Sequence, residues 1–145
     1  VFAAGMGVVG EGLLRVCEAL GCSMQCAGPE GAGDRPVVVF VHGLNSSRAM
    51  FLVGMHFLRA RAKHLGPMVC LRYRTRPEDG MHETANVVRD KVMEECRQHA
   101  ATRVVLIGHS AGGVLCTMVA EDLSRGEEGV QVEGVVCLSA PWRMP

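Results

Sequence analysis

Apolar positions in this chain follow two rhythms. Val37-Val38-Val39-Phe40-Val41 is an unbroken apolar run. With no position left over for water, it predicts a strand buried on both faces, as in a parallel sheet. The spacing then changes. Phe51, Met55, Leu58, Ala62 and Leu65 step by four, three, four and three, which is a helical stripe. Ser46 or Ser47 is placed to cap that helix and Gly66-Pro67 to stop it. The two rhythms alternate from there on. Met68-Val69-Cys70-Leu71 predicts a second strand, and residues 72–83 a polar loop. Thr84 is placed to cap a helix that buries Ala85, Val88, Val92 and Cys96. Val104-Val105-Leu106-Ile107 predicts a third strand, Ala111 to Ser124 a third helix with Leu115, Met118 and Val119 inward, and Val135-Val136-Cys137-Leu138 a fourth strand.

Strands alternating with helices imply parallel strands joined by right-handed crossovers. The expected fold is α/β, a three-layer sandwich with a mainly parallel sheet. Chemistry on such a sheet sits at the carboxyl ends of the strands. No internal repeat is present. Residues 1–34 read as a glycine-rich N-terminal segment, in which residues 13–20 are compatible with one short helix, and Gly28-Pro29-Glu30-Gly31-Ala32-Gly33-Asp34 is a linker by composition. Residues 35–145 carry the α/β pattern. The chain starts at Val1 and stops at Pro145 just past a strand, so both ends read as cut rather than finished.

Composition removes several functions from consideration. Lys plus Arg equals Asp plus Glu at 15 each, so no net field recruits nucleic acid or an anionic membrane. Aromatics at 4% leave little surface for base stacking. No apolar run is long enough for a transmembrane segment. The seven cysteines are an odd number, against a closed disulfide framework. Cys17, Cys22 and Cys26 cluster without the further ligand that zinc spacing requires, so no metal is expected. Reduced thiols lean toward a cytoplasmic location.

Candidate chemistry lies where the third strand meets the third helix. In Gly108-His109-Ser110-Ala111-Gly112 a serine occupies a tight strand-to-helix turn, which pushes its hydroxyl above the sheet as a nucleophile. Crowding at such a turn excludes neighbouring side chains, hence Gly108 and Gly112; Gly113 lets the helix pack close. The alternative is an ordinary glycine-rich turn, since the chain has 18 glycines. The second element is His42-Gly43-Leu44-Asn45, at the end of the first strand. An oxyanion hole needs two N–H groups aimed at one point. Ala111 follows the nucleophile and supplies one. Leu44 fits the other, with Gly43 allowing close approach and His42 steadying the loop.

Together, Val37-Val38-Val39-Phe40-Val41-His42-Gly43-Leu44, Val104-Val105-Leu106-Ile107-Gly108-His109-Ser110-Ala111-Gly112-Gly113 and Leu138-Ser139-Ala140-Pro141 resemble the lipase and esterase branch of the α/β-hydrolase family, and are similar to GPI inositol-deacylase-like lipases. The resemblance covers residues 36–142 and corresponds to central strands three to six, a partial α/β-hydrolase fold. It implies Ser110 as nucleophile, Leu44 and Ala111 as oxyanion donors, the strand of Val104 beside that of Val37, and no cofactor. It also implies a catalytic acid and histidine later in the chain, which this sequence does not reach.

A base must come within hydrogen-bond reach of the serine. His64 and His99 fall at helix ends on the far rim, His56 is mid-helix, and His109 adjoins Ser110 on too tight a turn, where it supports the elbow. His82 is the remaining candidate base, in the loop after the second strand with Asp79 three residues before it. The family's strand order sets that strand two steps from the serine, about 9.6 Å, so the loop must fold inward; otherwise His82 is a solvated loop residue. Arg72, Arg74 and Arg76 alternate onto one face, either as a site for an anionic group or as a solvated cluster. The expected function is a serine hydrolase of small-molecule or lipid esters, acting through an acyl-enzyme on Ser110. The rival is a non-catalytic module of the same fold that binds a ligand or protein. Nothing in the sequence sets the oligomeric state.

Overall fold

A computed structural model of the chain describes residues 25–26, 35–62, 65–74, 78–126 and 129–141. Among these, the strands are β1 (Gln25–Cys26), β2 (Val37–Val41), β3 (Met68–Cys70), β4 (Arg103–His109) and β5 (Gln131–Leu138). They form one sheet in the order β1-β3-β2-β4-β5. β3, β2, β4 and β5 run parallel, and β1 pairs antiparallel with β3. The helices are α1 (Leu52–Arg61), entered through a 3₁₀ turn at Arg48–Phe51, α2 (Met81–Gln98) and α3 (Ala111–Arg125). The chain therefore has the expected α/β architecture, with β4 beside β2 and β3 two strands from β4.

Strand pleating sorts the apolar run of β2 into two cores. Val37, Val39 and Val41 pack with Val104 and Leu106 of β4 against Val88 and Val92 of α2 and Leu115 and Val119 of α3. Val38 and Phe40 point the other way, onto Phe51 and Met55. Helices thus cover both faces, giving three layers, and β2 has no side for water. Each Val or Leu so buried contributes about 1.5–3 kcal/mol. The α2 face is the expected one: Ala85, Val88, Val92 and Cys96 are buried together with Thr84.

Several boundaries differ from the sequence expectation, each for a local reason. Ser47 is the N-cap of the first helical segment, its hydroxyl accepting from the Ala49 N–H, while the Ser46 hydroxyl turns to the Met50 sulfur. The α-helix then ends at Arg61 rather than at Gly66-Pro67. Leu65 still packs on the lower core, but its N–H bonds to Ala62 outside the helix. α2 begins at Met81, three residues before Thr84, with Gly80 as N-cap. The Thr84 hydroxyl donates to the Gly80 carbonyl from within the first turn. β5 starts at Gln131, ahead of its apolar core, because the Gln131 N–H donates to the Thr102 carbonyl and Gln131 and Val132 pair with Arg103 and Val104; an Arg103–Glu133 ion pair also spans the two strands. β1 was not foreseen, since two residues carry no periodicity. The short helix considered at residues 13–20, along with Cys17, Cys22, His64 and Arg76, lies outside the described residues.

Candidate active site

β2 and β4 both end at the same rim, and the candidate residues follow directly from those ends. Ser110 joins β4 to α3 with φ 54° and ψ −127°. Side chains avoid this region because Cβ crowds the carbonyl, at a cost of about 1–3 kcal/mol. The surroundings hold the residue there. Its N–H donates to the Leu138 carbonyl at the end of β5 (2.8 Å), and its carbonyl accepts from the Gly113 N–H (2.9 Å). The hydroxyl makes no capping bond to α3, although Ser110 is the N-cap residue.

The flanking glycines are required by space. A Cβ on Gly108 would lie 2.5 Å from the Gly113 Cα, and one on Gly112 would lie 2.6 Å from the His42 carbonyl oxygen. One on Gly113 would meet the Ala140 Cβ at 2.7 Å. The helix therefore sits directly against the exit of β2 and the end of β5. Gly43 closes the arrangement from the other side, where an added Cβ would stand 3.0 Å from the Ser110 Cβ and 3.4 Å from its Oγ. The loop after β2 thus runs against the serine. Leu44, next in that loop, is exposed, and Ala111 is the first residue of α3. An N–H in the first turn of a helix has no carbonyl one turn back to bond, and it carries the positive end of the helix dipole.

His42 is buried, with its Nδ1 3.0 Å from the Gly43 carbonyl oxygen. Its ring stacks on Tyr73, with centroids 4.3 Å apart and planes 16° from parallel, and the Tyr73 hydroxyl donates to the His42 carbonyl. Tyr73 escaped the sequence reading because it stands between Arg72 and Arg74 in a stretch taken as polar loop. The signal was the period-two continuation of Val69 and Leu71, all three of which join the same core. Arg72 and Arg74 are exposed on the opposite side.

The structure spreads the remaining candidates out. His82 lies in the first turn of α2, not in a loop, and is exposed, as is His56 on α1. His99 follows α2 at the far rim, 3.9 Å from Glu95. His109 pairs with Leu138 across the sheet, and its Nδ1 is buried without a hydrogen-bond partner. The thiols of Cys70 and Cys116 are buried and free, and burial pushes their pKa values up, that of Cys96 to about 11. These thiols belong to the core rather than the rim.

A glycine-flanked serine held at positive φ between strand and helix, with a second strand's exit loop against its hydroxyl, is the arrangement expected for a nucleophile elbow. The family profile described as "Alpha/beta hydrolase family" matches residues 38–145. The chain belongs to the alpha/beta hydrolase family. Among solved structures, this hydrolase-family chain is similar to the Bacillus licheniformis lipase BlEst2 in its propeptide form, at 23% identity and a TM-score of 0.57 over 81% of the chain. It is also similar to an epoxide hydrolase of the alpha/beta hydrolase superfamily from metagenomes of hot environments, at 20% identity and a TM-score of 0.51 over 79% of the chain. The chain spans 25% of the lipase's length and 37% of the epoxide hydrolase's. A search of curated proteins gave no significant match. Among the described residues, no helix is long and apolar enough to cross a membrane.

Proposed function

We propose that this protein hydrolyses carboxylic esters, of a small molecule or a lipid, through an acyl-enzyme on Ser110. The observation that carries the reading is the backbone of Ser110, a non-glycine residue held at φ 54° with its hydroxyl uncommitted to the helix and the Gly43 loop against it. In this reading the Ser110 Oγ attacks the ester carbonyl and loses its proton to a histidine. The Leu44 and Ala111 N–H groups hold the oxyanion of the tetrahedral intermediate. Collapse of the intermediate expels the alcohol, which takes the proton from the histidine, and water then releases the acid by the same steps. In this reading the histidine and the acid that orients it come from residues outside those described. Two features favour this over a base among the described residues. His82 is exposed on α2, behind a strand that lies two positions, or about 9.6 Å, from β4. His42 commits its Nδ1 to Gly43 and its ring face to Tyr73. His42, Gly43, Gly108, His109, Gly112 and Gly113 serve as supports for the nucleophile and the oxyanion loop.

A fluorophosphonate probe tests the assignment. The full-length protein should be labelled on Ser110, and Ser110→Ala should abolish labelling together with hydrolysis of an activated aryl ester. Labelling that persists in Ser110→Ala rejects Ser110 as the nucleophile. The 145-residue chain should label weakly. Turnover by it at ordinary enzyme rates, about 1–10³ s⁻¹, would move the base inside the chain, and His82→Ala would then have to remove the activity. A full-length protein that is inert but still binds ligand after Ser110→Ala is a binding module, not an enzyme.

A further inference from the structure

We propose that Tyr73 is a positioning residue that aims the oxyanion-binding N–H of Leu44, acting through His42. The inference rests on the reading of Ser110 as nucleophile and adds to it a residue just past the end of β3. Gly43 stands where an added Cβ would lie only 3.0 Å from the His109 carbonyl oxygen and the Ser110 Cβ, close enough that those atoms would have to give by a few tenths of an ångström. Glycine is also the residue with the greatest backbone freedom, so the peptide planes on either side of it need fixing from outside. Both are fixed. The plane before Gly43 is held where the Tyr73 hydroxyl donates to the His42 carbonyl. The plane after Gly43 is held where the His42 Nδ1–H donates to the Gly43 carbonyl, at 3.0 Å.

The second bond sets the direction of Leu44. In a trans peptide the C=O and N–H point opposite ways. With the Gly43 carbonyl turned to the His42 ring, the Leu44 N–H is turned away from it. The ring is stacked on Tyr73, whose side chain joins the core under α2 and α3. Gly43 itself abuts Ser110, an added Cβ standing 3.4 Å from the Ser110 Oγ, so in this proposal the Leu44 N–H, turned off the ring, lies on the serine's side. The Tyr73 ring, stacked on the imidazole, keeps the His42 ring from swinging out of that bond. Tyr73 and His42 are 7% and 4% exposed, so water does not compete for either carbonyl.

The test compares full-length wild type with Tyr73→Phe, which keeps the stacked ring and loses the hydroxyl, and with Tyr73→Leu, which loses both. Steady-state hydrolysis of 4-nitrophenyl acetate, fluorophosphonate labelling of Ser110, melting temperature and hydrogen exchange of the Leu44 amide are measured on each. Removing an oxyanion donor outright costs about 10²–10³ in kcat, and a loosened donor should lose a part of that, about tenfold for Tyr73→Phe and more for Tyr73→Leu. KM should stay within about twofold, because the donor acts on the transition state. The Leu44 amide should exchange faster in both variants. Unchanged kcat and unchanged Leu44 exchange in a Tyr73→Phe protein that labels like wild type would overturn the role of Tyr73 and leave the hydrolase reading standing. A kcat loss that merely tracks lost cooperativity of melting, with KM rising in step, would also overturn it, as a role in the fold alone. A wild-type protein with no reactive Ser110 overturns the hydrolase reading, and the role of Tyr73 falls with it.

Discussion

Replacing Gly112 by alanine perturbs the contact on which the site depends while adding only one methyl group. On the observed backbone that methyl would stand 2.6 Å from the His42 carbonyl oxygen and 2.9 Å from its carbonyl carbon, and closer still to the Val41 carbonyl oxygen. Carbon atoms in contact prefer about 3.5–4.0 Å. The colliding atoms are main chain of the last residue of β2 and of the residue after it, so no rotamer change relieves them. α3 must instead retreat from β2 by roughly 1 Å to restore contact distances. Forced overpacking costs about 1–3 kcal/mol, and here the upper end applies because the neighbour cannot yield. At about 2–8 °C per kcal/mol across the domain sizes that bracket this one, the melting temperature should fall by roughly 10 °C. The same displacement draws the Ala111 N–H away from the β2 loop, so fluorophosphonate labelling of Ser110 should slow as well. Gly54→Ala is the internal control. Gly54 is exposed within α1, with nothing within 4 Å of an added Cβ, and alanine there should stabilise by about 0.5–1 kcal/mol. Circular-dichroism melts of the two variants beside wild type, with labelling rates, decide the matter. A Gly112→Ala protein that melts within about 2 °C of wild type and labels at the same rate would refute the claim that close approach of β2 and α3 shapes the site.

Relief of backbone strain at the elbow should be measurable: Ser110→Gly should melt above Ser110→Ala, since glycine recovers a strain of about 1–3 kcal/mol against an entropy cost of about 0.5–1 kcal/mol, and the reverse order would mean that φ 54° costs nothing there. Burial, followed by repulsion from Glu94, raises the carboxyl pKa of Glu95, and His99 and Lys91 oppose the shift. A folded pKa above the unfolded one means a stabilising contribution that is present at low pH and is lost as pH rises through the raised value, so Glu95→Gln should be more stable than wild type at neutral pH, with the gap closing toward pH ~4; urea melts across that range showing a gap that widens on acidification would contradict the sign. Among the described residues β5 is the last strand of the sheet, with Val136 and Leu138 45% and 44% exposed, the kind of apolar edge that invites pairing between chains. The 145-residue chain should therefore show concentration-dependent light scattering that Val136→Lys with Leu138→Lys suppresses, and a monodisperse wild-type chain would count against an open edge.

Local pattern alone determined much of this protein. Burial on both faces is recorded in five consecutive apolar residues from Val37 to Val41, and a one-sided helix in the spacing of Ala85, Val88, Val92 and Cys96, because each pattern satisfies the geometry of only one regular element. The serine turn was legible for a related reason: glycines at 108 and 112 on either side of a serine, between a strand and a helix, answer a steric need that the residues themselves display. Boundaries were less legible. Whether Gly80 or Thr84 is the N-cap of α2 turns on where the first helical bond forms, the Thr84 N–H donating to the Gly80 carbonyl, and both residues are reasonable caps in isolation. The extent of β5 turns on the Gln131 N–H meeting the Thr102 carbonyl, a contact between segments far apart in the chain. Only the tertiary structure could decide what holds the loop after β2. Tyr73 and His42 are 31 residues apart, just past the ends of β3 and β2, and nothing in either local sequence announces the other. Periodicity reports which way a side chain faces relative to its own element. Contacts between the ends of separate strands depend on sheet order, which is set by the packing of all the layers at once.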